Sequence, residues 1–325
     1  MNLQQVSESC FAVLTGKGHL CDSNSGFINR GGGVLVDTQP DLSHARRMAE
    51  LFGSIWQAMP KRVINTNESG DHVWGNQVFA GAEIIAHRTV PDRMKQVANA
   101  REYQALFGNI DRLLSRLILK VRRPGVLAVG RQLQQDYNFG GIESTPPSTL
   151  FDHRFMLNLE GLEVHMIHVG PCHGAGDTIV HVPMEGVVFA GDVVFRQCTP
   201  MGWSGTCEKW LQALDLIVWL DPEVIVPGCG PVCGIEGAME VRAYLKYVCE
   251  ESMRYFKYGL SALEASKRIE LGPYREWRSP ARLVANVESA YREFRDEPTL
   301  APWDAASTFD SMYEMAKARG IKEEF

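Results

Sequence analysis

The sequence predicts an α/β sandwich with a helical tail, and three observations carry that prediction. Apolar runs of strand length fill residues 10–37, then give way to a helical stripe over 41–59 and to strands at 62–66 and 83–87. A second group of strand patterns runs from 154 to 192, with another at 224–229. From residue 236 onward every apolar stripe has helical spacing. With 325 residues, 45% of them hydrophobic, the chain can bury a full core. We therefore expect a sandwich domain over 1–235 and a helical extension over 236–325 packed on it.

Composition narrows the function. A net charge of -6 and a pI near 5.9 exclude nucleic acid as the main partner. The first nine residues lack the basic start and apolar run of a signal peptide, and no stretch of about 18 apolar residues predicts a membrane span. Eight cysteines without a signal read as reduced thiols, which predicts a cytoplasmic protein.

Taken in order, Phe11 to Leu14, Gly26 to Ile28 and Gly33 to Asp37 read as strands, with a hairpin turn at Gly31-Gly32-Gly33. Asp41 caps the helix over 41–59, whose stripe is Met48, Leu51, Phe52, Ile55, Trp56 and Met59, and Pro60 ends it. Residues 88–120 read as helices near the pocket mouth, with Met94, Val97, Leu106, Ile110, Leu113, Leu114 and Leu117 as their stripe. Residues 122–150, with Pro124, Pro146 and Pro147, read as an irregular loop over the site. Its Tyr137 and Phe139 either line a pocket or pack beneath the loop. A hairpin is predicted around Glu160-Gly161, further strands at 179–182 and 187–192, and a helix at 210–220. His87, His165 and His168 read as ordinary strand residues, and Cys198 and Cys207 as small apolar fillers.

The chemistry concentrates in Asn65-Thr66-Asn67-Glu68-Ser69-Gly70-Asp71-His72-Val73-Trp74-Gly75-Asn76. A carboxylate and an imidazole side by side after a strand suit metal binding or proton transfer. Two further glycine-rich turns carry His173 (Gly170-Pro171-Cys172-His173-Gly174-Ala175-Gly176-Asp177) and Cys229 (Val226-Pro227-Gly228-Cys229-Gly230-Pro231). Asp192 ends the strand Phe189-Ala190-Gly191-Asp192.

These four stretches, in this order, resemble the metallo-β-lactamase superfamily, with its H-x-H-x-D-H, G-P-x-H-T-x-G-D, F-x-G-D and P-G-H-G-P motifs. The resemblance runs from about Val13 to Pro231 and implies an αββα sandwich with the site at one sheet edge. It implies that Asp37, in Val36-Asp37-Thr38, ties the site loops from below. The two leading histidines of the first motif are Asn67 and Ser69 here, Gly174 replaces the usual threonine, and Cys229 replaces the last histidine.

One family metal site is thereby reduced to Asn67, Ser69 and His173. The other keeps Asp71, His72, Asp192 and Cys229, which can still form a tetrahedral zinc site. The first expectation is a hydrolase of an ester, thioester or lactone bond. It would hold one zinc or other divalent metal, with metal-bound water as nucleophile. Asp71, His173 and Asp192 are its catalytic candidates. Asn67, Ser69, Trp74 and Trp203 are its substrate contacts. The tryptophans and phenylalanines near the loops point to an apolar or aromatic small molecule. Two alternatives remain open: a metal-free isomerase, cyclase or lyase working through His173 and Asp71-His72, and a catalytically silent binding protein. The helical tail is expected to pack on the sandwich, narrow the pocket or form a homodimer contact.

Overall fold

The computed structural model of the chain describes residues 1–107 and 119–321. The stripe positions Ile110, Leu113, Leu114 and Leu117 lie outside the described residues. Among those described, twelve strands form two sheets. The first sheet runs in chain order: β1 (Asn2–Gln5), β2 (Cys10–Leu14), β3 (Ser25–Ile28), β4 (Val34–Val36), β5 (Arg62–Ile64), β6 (Glu83–His87) and β7 (Thr149–Phe151). Its first four strands pair antiparallel, and β4 through β7 pair parallel. The second sheet has β12 (Val224–Cys229), β11 (Val187–Phe195), β10 (Thr178–Val182), β9 (Leu162–His168) and β8 (Arg154–Leu159) side by side.

Strands such as β3, β4, β10 and β11 read as near-continuous apolar runs because both their faces are covered, whereas β8 alternates exposed and covered positions. In β2, Cys10 and Ala12 point between the sheets, whereas Phe11 and Val13 point outward to the helix Leu42–Gly53. The inner layer also takes Ile28, Val36, Ile64 and Ile85 from the first sheet and Val164, Met166, Val180 and Phe189 from the second. The outer face of the second sheet packs Val188, Ala190 and Ile225 against the C-terminal helices through Val241, Tyr244, Leu283 and Val287. Helix, sheet, sheet, helix is the resulting layer order, so the αββα architecture with a helical C-terminal region is present.

Local rules account for the joints. All three residues of Gly31-Gly32-Gly33 have positive φ (58°, 93° and 81°), which glycine adopts without the Cβ clash that other residues meet. Asp41 extends before the first helix, and its carboxylate accepts from the His44 N–H at 2.7 Å. The same side chain accepts from the Asn138 N–H at 2.8 Å, and these bonds hold its pKa down to about 2 against burial.

Several expectations are corrected. The first helix stops at Gly53 rather than continuing to Met59, and Met59 is exposed. The loop expected over 122–150 contains a helix, Pro124–Asp136. Pro124 opens that helix where a missing N–H costs nothing, and Val126, Leu127, Val129 and Leu133 form its buried stripe. Tyr137 and Phe139 are buried in the core beside it. An edge strand, β1, forms from polar residues and was not expected.

At the ends of β6 and β9 the two sheets meet through stacked imidazoles. The rings of His87 and His168 lie 3.6 Å apart and 4° from parallel. Burial, then the neighbouring His168, lowers the His87 pKa to about 4, against the opposing pull of Asp152. Burial also lowers that of His168, with Lys209 and His153 adding to it and Glu68 opposing. The folded chain thus keeps both rings neutral, while an unfolded histidine protonates near 6.5. Between those values the unfolded state binds more protons, so stability is present above about pH 6.5 and is lost as pH falls toward about 4. Urea midpoints measured from about pH 7 to about pH 4.5 should fall more steeply for the native chain than for His87→Phe. Parallel curves for the two proteins would show that the stacked pair does not carry this dependence.

Candidate metal site

The motif strand β5 ends at Ile64, and the chain then enters a polar turn and a short helix, Gly70–Val73. Asp71 and His72 therefore sit on a helical turn rather than in a loop. The residues that spell the motif hold this turn in place. Asn65 and Asn76 exchange amide hydrogen bonds at 3.0 and 2.9 Å, and both Asn65 and Thr38 donate to the His72 carbonyl at 2.9 Å. Gly75 is required where it stands, because a Cβ there would collide with the Thr38 carbonyl.

His72 is wholly buried. Its Nδ1 lies 2.9 Å from Asp37 Oδ2, and Asp37 also accepts from the Thr66 N–H at 2.8 Å and the Thr66 hydroxyl at 2.6 Å. Asp37 thus ties the loops from below, as expected, and also orients the imidazole. Nε2 faces Asp192 Oδ2 at 3.0 Å and Asp71 Oδ2 at 3.6 Å, yet it has no aligned hydrogen-bond partner. Burial would lower the pKa of His72, but Asp192, Asp37 and Asp71 outweigh it and raise that pKa well above the ordinary value. Asp192 is held low against burial by His72 and His173, whereas burial raises Asp71.

Asp71, His72 and Asp192 form a group whose ligand atoms all lie within 4.8 Å of one another. The residues fit a divalent cation on two counts. A buried imidazole nitrogen points at two carboxylates with nothing between them, and its other nitrogen meets a carboxylate, the usual support behind a metal-bound histidine. Glycine at 228 is part of this arrangement, since a Cβ there would strike Asp192 Oδ1.

His173 arrives from the glycine-rich turn and is 7% exposed. Its Nδ1 lies 2.6 Å from the Met201 carbonyl, so Nδ1 carries the hydrogen and Nε2 presents its lone pair to the cleft. That nitrogen is 3.3 Å from Asp192 Oδ2 and 3.3 Å from Ser69 Oγ. Asn67 donates to Asp192 Oδ2 at 3.2 Å, and its own carbonyl takes the Ser69 N–H at 2.7 Å. Asn67, Ser69 and His173 are thus brought together with Asp192.

Three candidates fall elsewhere. Cys229 is not in the metal-ligand group: its thiol shares a hydrogen bond with Cys198, and that pairing together with burial raises its pKa. Trp74 is buried beneath the Gly70 turn between Tyr103 and Phe139, with its N–H donated to the Ala98 carbonyl at 2.7 Å. Trp203 packs edge-on against Trp303 and Phe309 of the helical tail. Both tryptophans are held by packing contacts rather than facing the Asp192 cleft.

Sequence reasoning missed two charged residues. Glu68, between the two altered motif positions, is buried and accepts the Ala175 and Gly176 N–H groups at 2.7 and 2.8 Å, clamping the His173 turn. Its place inside the motif was the available signal. Arg282, from the tail, is 3% exposed and donates to Gly18 O at 3.0 Å, Thr199 O at 3.3 Å and Cys198 Sγ at 3.2 Å. No local pattern marks it. Cys198 is consequently more than a filler: its pKa falls to about 7, chiefly through the Cys229 hydrogen bond and with help from Arg282.

Comparison with known proteins identifies the family. The model of the metallo-beta-lactamase superfamily matches residues 19–229. The chain belongs to the metallo-β-lactamase superfamily. No curated protein matches it. Among solved structures, the stereoselective inverting sec-alkylsulfatase Pisa1 from Pseudomonas sp. is similar at a TM-score of 0.64 and 15% identity, over 90% of this chain and 50% of that one. The chain therefore spans about half the length of that alkylsulfatase. A metallo-beta-lactamase family protein from Thermus thermophilus matches at a TM-score of 0.61 and 16% identity, over 89% of this chain and 93% of that one. A metallo-beta-lactamase from Pontibacter korlensis matches at 0.56 and 13%, over 75% and 98%. At these identities the likeness concerns the fold. No helix among the described residues is long and apolar enough to cross a membrane.

Removing Arg282 tests whether the tail braces the site. Arg282→Leu leaves the Thr199 carbonyl without its donor, takes one donor from the Gly18 carbonyl, which Ser279 Oγ also meets at 3.0 Å, and leaves a thiol pair without its cation. Loss of one partner from such a buried ionic contact costs about 3 kcal/mol. Chemical denaturation should show a loss of that size, and a change under about 0.5 kcal/mol would mean that Arg282 is not a strut between tail and site.

Proposed function

We propose that this superfamily member hydrolyses an acyl bond (an ester, thioester or lactone) in a small organic molecule, with one divalent metal per chain. The observation that supports it is the orientation of His72, whose buried Nε2 faces Asp71 and Asp192 while Asp37 holds its Nδ1. Three protein ligands with one position left open is the pattern of catalytic rather than structural zinc sites, and a set of one nitrogen and two carboxylates suits zinc or a harder divalent ion. Asp71, His72 and Asp192 would hold the ion, which would polarise the acyl oxygen or a water molecule when bound.

The chain's own groups do the remaining work. Asn67 holds Asp192 and the Ser69 backbone in place. His173 presents Nε2 to the cleft and exchanges a proton there, while Met201 keeps Nδ1 protonated. Glu68 fixes the turn that carries His173. The other family metal site lacks two of its histidines, and His173 alone cannot hold an ion there.

Metal content of the purified chain should therefore be at most about one ion, and Asp192→Asn should release it and abolish turnover with the fold retained. Asn67→His combined with Ser69→His should raise the content toward two ions. Two tightly bound ions in the native chain would overturn the assignment. A panel of esters, thioesters and lactones tests the reaction; cleavage of alkyl sulfates alone, the substrate class named for the alkylsulfatase neighbour, would replace acyl hydrolysis by sulfate-ester chemistry.

A further inference from the structure

We propose that Ser69 is a covalent nucleophile activated by His173, a serine–histidine pair built where this chain has given up a metal site. The inference rests on the acyl-hydrolase reading and adds to it the atom that attacks.

Nucleophilic catalysis by serine needs three things: a hydroxyl within reach of a base, a base held in one tautomer, and a hydroxyl not already used elsewhere. Ser69 Oγ lies 3.3 Å from His173 Nε2, within the looser range such pairs show before substrate closes on them. Met201 accepts from His173 Nδ1 at 2.6 Å, which places the neutral ring's lone pair on Nε2, the nitrogen that both Ser69 Oγ and Asp192 Oδ2 meet at 3.3 Å. Ser69 also stands at the cap position of the Gly70–Val73 turn with extended backbone, where a serine ordinarily spends its oxygen on the helix N–H groups. Here it makes no such bond. The hydroxyl faces the imidazole instead, and Asn67 holds the Ser69 backbone through its N–H at 2.7 Å.

When Ser69 Oγ attacks an acyl carbon, its proton moves to His173 Nε2. The resulting imidazolium has Asp192 Oδ2 at 3.3 Å from the newly protonated nitrogen. The Oγ–C bond forms and the bond to the leaving alcohol or thiol breaks, with the proton on Nε2 passing to that leaving group. Water then attacks the acyl-Ser69 ester, giving its proton to Nε2, and the carboxylic acid leaves as Ser69 recovers its hydrogen. No oxidant or co-reactant is needed. Glu68 steadies both partners: it follows Asn67, precedes Ser69, and its carboxylate takes the N–H groups of the turn that bears His173.

The test uses a fluorophosphonate, which reacts with an activated serine by forming the Oγ–P bond and releasing fluoride. The native chain, with its metal content measured, should gain one adduct by intact mass, mapping to the peptide that holds Ser69. Ser69→Ala should gain none, and His173→Gln should react at least about 100-fold more slowly. Circular dichroism and metal content of both variants should match the native chain. Adduct formation at another residue, or equal labelling of the native chain and Ser69→Ala, overturns the proposal. So does native turnover of the acyl panel with no adduct at Ser69, an outcome that leaves the acyl-hydrolase reading standing. An adduct at Ser69 without turnover of any acyl substrate has the reverse meaning: the pair is confirmed and the acyl assignment falls.

Discussion

Everything at the sheet edge depends on the contact between Asp37 and His72. An imidazole can present a lone pair in a fixed direction only if its other nitrogen is held, and Asp37 holds it at 2.9 Å in a site from which water is excluded. The same carboxylate ties Thr66, and Thr66 leads directly into Asn67 and Ser69. One buried anion therefore fixes the direction of the metal-facing nitrogen and the start of the loop that faces it. Asp37 itself takes a positive φ of 61°, a conformation that is uncommon for a residue with a Cβ and is held here by those bonds.

Three carboxylates, Asp37, Asp71 and Asp192, surround one imidazole. Such a gathering of carboxylates in a largely buried place favours a cation among them, and a proton on His72 supplies only one charge. A divalent ion at Asp71, His72 and Asp192 balances it more fully, and Nε2 is already turned to receive it. The other side of Asp192 is different. There Asn67 and Ser69 are neutral, His173 is steered by a backbone carbonyl, and no second carboxylate is present among the groups that meet it. The two halves of the cleft thus share Asp192 but divide the chemistry, one half suited to an ion and the other to a proton in transit.

The order of strands, the hairpin glycines, the Asp41 cap and the placing of Asp71, His72, His173 and Asp192 at one edge were legible because each depends on residues near in sequence or on a motif with fixed spacing. Asn65, Thr66 and Asn76 match the family motif for a reason that spacing alone does not reveal: they are hydrogen-bonding scaffold around His72, so they persist where the ligands beside them have changed. What was not legible depends on partners far along the chain. Cys229 read as a ligand because it fills a histidine's place, but Cys198 and Arg282, the latter more than fifty residues away, draw its sulfur into a separate thiol pair. The helix Pro124–Asp136 was hidden by its proline and glycines, whose composition resembles a loop until Pro124 is seen as an opening residue.

The helical tail then has a role that its lack of motifs conceals. Arg282 reaches the Gly18 loop and the Cys198 segment at once, and Asn286, one turn on, donates to Pro200 O at 2.8 Å and accepts from the Gly202 N–H at 2.9 Å. Met201, whose carbonyl sets the tautomer of His173, lies between those two anchor points. A side chain on the tail thereby fixes a carbonyl, the carbonyl fixes a hydrogen on an imidazole, and the imidazole's free lone pair faces Ser69. The orientation of that imidazole is set by packing from a part of the chain that lies outside the motif stretches.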